Sequence, residues 1–427
     1  MISVKVFYKG QEVGIVTASR KNANYYTFRY NDQFIKSGIE LCPILMPLRP
    51  TNYTFPNLNL ESFKGLPPLL ADSLPDQYGS DLLFAYQKIF GKSSLNALEA
   101  LSYIGKRGMG ALEFVPEIDI IGMSEEQIIE LDSLVDVANQ ILSQRENVNY
   151  SLKNVQLRQL ISVGSSIGGA RAKAIVAIDE QGNIRSGQIA DLKEYEYSII
   201  KFDGLSADLT EEKNVTYYTR IEYAYYLMAK DCGIKMTDCS LMEVNGKYHF
   251  KTKRFDRDND GKKIHMLSLA GLAGFDYQKP GEHSYEDVAM ILNELKCSSE
   301  EYEQLFRRMV FNVVFRNNDD HVKNISFLMN EKGSFYLSPA YDLSYSYNPN
   351  GNWTKHHQMK INNKIDDITV DDLLSSAKKM LVDIKAAKKI IKDIVKVSKD
   401  FYLYSEKAKL PKKIADTIYS DFVFYDL

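Results

Sequence analysis

The sequence predicts an α+β protein in two parts, β-rich at its start and mostly helical toward its end. Three observations carry that reading. The first hundred or so residues look β-rich, opening with short apolar strands around a turn and a run of aromatic and Thr strand formers. A glycine-rich stretch between predicted strands follows near residue 165. From Ser284 onward the apolar residues recur at helical spacing. With 427 residues, 44% hydrophobic and 26% charged, the composition is that of an ordinary globular chain of two or three domains, which excludes disordered, collagenous and disulfide-scaffold classes.

The opening VKVFYKGQEVGIV reads as two strands about a Lys9-Gly10 turn, and YYTFRYND as a third. Punctuation by Pro, Gly and Asp then gives way to a helix with apolar Leu82, Leu83, Tyr86 and Phe90. A second helix is expected from a Ser124/Gln127 capping box, with a polar linker over 143–150. Next come LISV and AIVAID, read as strands on either side of GSSIGGARAK, and then the strand YSIIKF. The helix VTYYTRIEYAYYLMAKDCGI ends at a glycine C-cap, Gly233. Ser298 and Glu301 cap a helix with Leu305, Phe306, Met309, Val310 and Val313 on one face, and ISFLMNEKGSFYLS is a hairpin. The last sixty residues read as Lys-rich helices with Ile384, Ile391, Ile394 and Phe401 inside.

The 53 basic and 56 acidic residues nearly balance, so the chain lacks the field needed to hold nucleic acid by itself. Cys42, Cys232, Cys239 and Cys297 match no zinc or redox spacing and suit a reducing compartment. MISVKVFYKG lacks a secretory leader pattern and no long apolar run occurs, so a cytoplasmic protein outside the membrane is expected.

Three constellations bear chemistry. In GSSIGGARAK the glycines Gly168 and Gly169 allow backbone N–H groups close to a polyphosphate, and Ser165 and Ser166 add hydroxyl donors. Alone, the same residues also suit a structural turn. No Gly-Lys-Ser/Thr follows, so this is not a Walker A loop. Lys201 in YSIIKF sits near the end of a predicted half-buried strand, and Glu222 on the next helix is a candidate partner. The alternatives are a lysine reaching solvent and a surface glutamate. In RNNDDHVKN, Asp319 and Asn324 are separated by four residues, and Asp342 follows the hairpin. Phosphoryl transfer to a hydroxyl needs a carboxylate to take the proton and hard oxygen ligands for Mg²⁺, and this order matches a protein-kinase catalytic loop and metal turn. A turn-forming Asx loop is the rival account. His321 reads as a loop-ordering or nucleotide-contacting residue. Adjacent His356 and His357 point apart and make a poor metal site.

Taken together, GLPPLLADSLPDQYG, SSIGGARAK, TKRFDRD, RNNDDHVKN and LSPAYDLS resemble, in order, the motifs of the HipA family of bacterial Ser/Thr protein kinases, toxin halves of toxin–antitoxin pairs. The resemblance implies a bilobal protein-kinase-like domain preceded by a β-rich N-terminal subdomain. The divisions would be 1–116, a connecting helix and linker at 117–148, and a catalytic domain at 149–427 with lobes 149–256 and 257–427. It implies ATP and Mg²⁺ as cofactors, with Asp319 catalytic and Asn324 and Asp342 holding the metal. Lys201 would meet the ATP phosphates. Arg254 and Phe255 would border adenine, with Asp256 and His321 near the nucleotide. Ser166, or its neighbour Ser165, would be autophosphorylated. A small helix-turn-helix antitoxin would be the partner, carrying the protein to DNA indirectly, and a translation protein of the aminoacyl-tRNA synthetase class the acceptor. The loop departs from the family's Gln-Glu-Lys, and 360–427 matches none of its motifs. The rival functions are a nucleotide-binding pseudokinase acting as co-repressor, a small-metabolite kinase and, more remotely, a free DNA-binding protein.

Overall fold

The computed structural model describes residues 3–19, 24–75, 77–89, 95–118, 129, 134–135, 138, 160, 163–164, 171–188, 192–206 and 217–426. The chain divides into two compact units, one of Met1–Thr216 and Met242–Met266, the other of Tyr217–Leu241 and Leu267–Leu427.

In the first unit, β1 (Ser3–Tyr8) and β2 (Gln11–Ala18) pair antiparallel about Lys9 and Gly10, both at positive φ. With β3 (Tyr26–Tyr30), β4 (Asn52–Tyr53) and β5 (Leu112–Val115) they form a sheet ordered β4-β3-β2-β1-β5. Alternation places Val4, Val6 and Tyr8 on the buried face. A second sheet contains β6 (Arg171–Asp179), β7 (Ile184–Ser186), β8 (Tyr195–Ser206), β9 (Cys239–Val244) and β10 (Lys247–Lys253), ordered β7-β6-β8-β10-β9. Tyr78 and Leu82 of the helix Gln77–Ile89 pack with Ala172, Ala174, Val176 and Ile200 of this sheet.

The LISV segment is not the expected strand. Leu160, Val163 and Gly164 are helical, and Leu160 and Val163 join the same core. A short apolar run does not declare its period, and here an i, i+3 pair buries both side chains against the helix and sheet. Gly164 is held to glycine by proximity: a Cβ there would lie 2.6 Å from Leu82 Cδ1. The Ser124/Gln127 capping box, the 143–150 linker and loop residues 165–170 lie outside the described residues.

A buried ion triad organises the segment after β10. Arg254 grips Asp256 through Nε and Nη2 at 2.8 and 2.7 Å, Arg257 Nη1 adds a third bond at 2.9 Å, and Gly110 N donates at 2.7 Å. Arg254 Nη1 also donates to Gly187 O at 3.0 Å, and Arg257 reaches Gly108 O and Gly110 O. Burial opposes charge on Asp256, but the two guanidinia outweigh it and hold the carboxyl well below its usual range. Nearby, Lys263 is bonded to Glu113 at 2.7 Å, and His265 Nε2 faces Leu41 O at 2.8 Å.

The second unit is built on the helix Ser299–Val314, started by a Ser298/Glu301 capping box in which Ser298 N donates to Glu301 Oε2 at 2.6 Å. Tyr302, Leu305, Phe306, Met309, Val310 and Val313 are buried along it. At its C-terminal end Tyr225 Oη donates to Phe315 O at 2.5 Å, and the Phe315 ring meets Phe422 edge-on at 5.0 Å. A small sheet of β11 (Met266–Ser268), β12 (Ser326–Met329) and β13 (Phe335–Leu337) includes the expected hairpin. The helices Val370–Lys379, Ile384–Lys399, Phe401–Lys407 and Lys412–Ser420 complete the unit. Ile391, Ile394 and Phe401 are buried as expected, whereas Ile384, the first residue of its helix, is 38% exposed because that turn extends beyond the packed face. Among the described residues no helix is long and apolar enough to cross a membrane.

Removing charge from the triad leaves two buried guanidinia underpaired, so Asp256→Asn should lower stability by about 3–5 kcal/mol, read as a drop in urea midpoint. His265 supplies a pH test. Burial pushes its pKa down to about 4, while the unfolded imidazole titrates near 6.5. Its contribution is therefore complete above about 6.5 and is lost as pH falls toward about 4, with a slope of up to about 1.4 kcal/mol per pH unit. Urea titrations across that window should show a shallower decline in His265→Gln than in the natural sequence.

Candidate active site

The site in the second unit begins where the helix Ser299–Val314 stops. Phe315 caps it and Arg316 turns the chain at φ 55°. Residues 317–321 have no regular secondary structure and lead into a single 3₁₀ turn, Val322–Asn324. Within this run the Asp319 side chain is 43% exposed while that of Asp320 is fully buried.

Asp320 is the anchor. Its Oδ2 accepts from Tyr285 Oη at 2.8 Å and lies 3.1 Å from His357 Nδ1, and its Oδ1 accepts from Gln358 N at 2.7 Å. Asn312 Nδ2 donates to Tyr285 Oη at 2.8 Å, Asn317 Nδ2 to Asn312 Oδ1 at 2.9 Å, and Ser346 Oγ to Asn317 Oδ1 at 3.3 Å. Ser346 Oγ in turn receives Asp319 N at 2.9 Å. The hydrogen-bond chain thus starts at one aspartate and ends on the backbone of the next. Burial, reinforced by Asp320, keeps the Tyr285 phenol protonated far above its ordinary pKa, so it remains a donor.

Asp319, Asn324 and His321 are brought together. Asn324 Nδ2 donates to Asp319 O at 2.8 Å, and His321 Nε2 lies 3.9 Å from Asp319 Oδ1. Tyr341 Oη donates to Lys323 O at 2.5 Å and meets Ser326 Oγ at 2.5 Å, so the residue beside Asp342 is tied to the residue beside Asn324. Asp342 occupies the left-handed region at φ 54°, a conformation that costs a non-glycine residue energy and is tolerated best by Asn and Asp. Asn324 and Asp342 are hard oxygen donors of the kind Mg²⁺ takes, and Mg²⁺ is commonly held by one or two carboxylates with phosphates and water. Among the described residues no cluster of three or more His, Cys, Asp or Glu is placed to hold a metal.

Behind the loop, Tyr285, Arg308, Asn312, Asn324 and Tyr341 line a small pocket. Burial brings the Arg308 guanidinium down to about 10, so it stays charged at neutral pH, and Arg308 Nη2 bonds Ser338 O. On the open side, Trp353 Nε1 donates to Asp319 Oδ1 at 3.2 Å.

Lys201 belongs to the first unit. It lies in mid-strand rather than at a strand end, 8% exposed on β8, directly opposite Lys173 of β6 and Phe250 of β10. Its Nζ sits 5.8 Å from the Phe250 ring centroid. Lys173 is 4% exposed. Arg254 and Asp256 spend their side chains on the buried triad, and Phe255 beside them is half-buried. Glu222, in the second unit, is buried on the helix Tyr218–Asp231, not the surface glutamate of the alternative reading. Ser165, Ser166, Gly168 and Gly169 lie outside the described residues. His356 and His357 turn to different carboxylates, Asp366 at 2.9 Å and Asp320 at 3.1 Å.

Sequence reasoning missed Asp320, Tyr285, Ser346, Tyr341, Lys173 and Trp353, all of which act through contacts distant in the chain. Only the doubled Asp319-Asp320 offered a signal. Because Tyr285 links Asp320 to Asn312, Tyr285→Phe should cost about 1–3 kcal/mol, measured by urea unfolding, with a larger loss for Asp320→Ala.

The family profile described as HipA N-terminal domain matches residues 4–115, and that described as HipA-like C-terminal domain matches 165–401. A Haemophilus influenzae protein named "Putative kinase" is 29% identical over 135 residues, 29% of this chain and 39% of that protein. A similarly named Sinorhizobium fredii protein is 28% identical over 135 residues, 29% of this chain and 32% of its own length. The chain therefore spans well under half of these relatives' length. Among solved structures, the Shewanella oneidensis HipA of a complex with HipB and operator DNA superposes with a TM-score of 0.67 at 17% identity, covering 98% of this chain and 95% of that one. The fold is shared across nearly the whole chain, and the longer profile covers more than half of it: the protein belongs to the HipA family.

Proposed function

We propose that this protein is an ATP- and Mg²⁺-dependent Ser/Thr protein kinase, the toxin of a toxin–antitoxin pair. The observation that carries the reading is the Asn324–Asp319 bond, with Tyr341 tying the chain beside Asp342 to the same turn. It supports a carboxylate facing the acceptor and two oxygen donors for a metal, on a turn and a following segment bonded to each other.

In this reading the Asp319 carboxylate receives the proton of an acceptor Ser or Thr hydroxyl as its oxygen bonds to the γ-phosphorus of ATP and the bond to ADP breaks. Asn324 and Asp342 hold Mg²⁺, which when bound offsets charge on the phosphates. Lys201 binds the phosphates, Glu222 steadies that lysine, and the chain at Arg254 and Phe255 borders the adenine, with Asp256 and His321 close to the nucleotide. Ser165, Ser166, Gly168 and Gly169 cover the phosphates. Phosphate on Ser166, or on Ser165, adds about 1.5 to 2 negative charges and turns the loop away from ATP.

The HipB and operator DNA in the Shewanella complex support a partner of the same kind here. A small helix-turn-helix antitoxin holds this protein, and the near-neutral charge fits DNA association through that partner alone. The acceptor is a cytoplasmic translation protein, of the aminoacyl-tRNA synthetase class, and growth arrest follows its modification.

The test is incubation with Mg²⁺ and ATP followed by mass spectrometry of the peptide spanning residues 164–173. Phosphate on Ser165 or Ser166 is expected, falling at least about a hundredfold in Asp319→Asn, the usual worth of a general base. Equal phosphate on both proteins would remove Asp319 from its role. An unmodified loop in protein that still binds ATP would favour a pseudokinase acting as co-repressor.

A further inference from the structure

Trp353 is the only tryptophan in the chain, and it sits on the residue that the proposed chemistry most depends on. Its indole N–H donates to Asp319 Oδ1 at 3.2 Å while 41% of the residue remains exposed. This is a placed contact. Asn318 Nδ2, one residue before Asp319, donates to Thr354 O and Lys355 O at 3.2 and 3.3 Å. Gln358 Nε2 donates to Trp353 O at 2.5 Å, and Gln358 N is held by Asp320 Oδ1 at 2.7 Å. His357 completes the attachment through Asp320. Residues on both sides of Asp319 thus fasten the segment 353–358, and that segment returns an indole to the carboxylate between them.

A tryptophan so held has two faces of use. Its N–H restricts the rotation of the Asp319 side chain, which is 43% exposed. Its half-exposed ring offers a flat apolar surface beside the reacting oxygen, of the kind that covers a polypeptide backbone or an apolar side chain. A small polar acceptor needs no such wall. We propose that Trp353 is the acceptor-side positioning residue: its indole N–H orients the Asp319 carboxylate, and its ring forms the wall against which the polypeptide bearing the acceptor hydroxyl lies. The inference rests on the kinase reading above and adds to it a positioning residue on the acceptor side of Asp319.

The lone tryptophan allows a test in two arms. The first needs no catalysis. Emission and acrylamide quenching of the full-length protein report on Trp353 alone, and Asp319→Ala should raise its quenching at least about twofold as the indole loses its acceptor; unchanged quenching would overturn the contact. The second arm measures phosphate transfer at saturating Mg²⁺-ATP to a tryptophan-free peptide with the sequence of residues 160–175, which contains Ser165 and Ser166. Trp353→Phe, which keeps the ring, should lower kcat several-fold with the peptide KM unchanged. Trp353→Ala should in addition raise the peptide KM tenfold or more while leaving the ATP KM as it was. Equal effects on both KM values, or none, would overturn the positioning role. If the unmodified protein transfers nothing to peptide or to itself, the kinase reading fails and this acceptor role fails with it. The quenching result then still decides whether the indole–carboxylate contact exists. Because the side chain is half-exposed, both variants are expected to melt within a few degrees of the parent, which circular dichroism checks.

Discussion

A carboxylate removed from water must be met by donors, and the second unit's site is arranged around one that is. Asp320 gathers a phenol, an imidazole nitrogen and a backbone N–H from two separate stretches of chain. An unpaired buried charge costs several kcal/mol, so each of those stretches is constrained to its place. Asp319, one residue away, inherits its position from this arrangement without sharing its environment. Two adjacent aspartates therefore do opposite things: one is buried and structural, the other exposed and open to chemistry.

The first unit uses the same physics differently. Arg254, Asp256 and Arg257 close a buried triad that captures Gly187 from the second sheet and Gly108 and Gly110 near the first. Burial of such charges contributes little net stability compared with an apolar core, but it tolerates few alternative arrangements. The segment after β10 is thereby held to the N-terminal sheet region by bonds with defined directions, where apolar contacts alone would leave it freer. Lys201 and Lys173 stand on strands of the second sheet, so their spacing is set by the ladder and not by loop conformation.

Much of the architecture was legible because the local code was unambiguous. The Lys9-Gly10 turn, the Ser298/Glu301 capping box, the Gly233 C-cap and the hairpin of β12 and β13 each have one economical local solution. The errors occurred where local rules permit two. LISV suits strand or helix until something packs against it, and Ile384 belongs to an apolar stripe that outruns its partner surface. Lys201 looked terminal because the apolar run ended beside it, yet β8 continues through Ser206.

By itself, the sequence determined the order and type of elements and the spacing of Asp319, Asn324 and Asp342, because period, caps and turns act over a few residues. It also carried the motifs by which the family is recognised. Only the tertiary structure decided which of two neighbouring aspartates is buried, that Tyr285 and His357 meet there, that Glu222 is enclosed, and that Trp353 lies against Asp319. Those outcomes depend on which distant side chains arrive to satisfy a polar group, and the energy of that encounter is not written in any short stretch of chain.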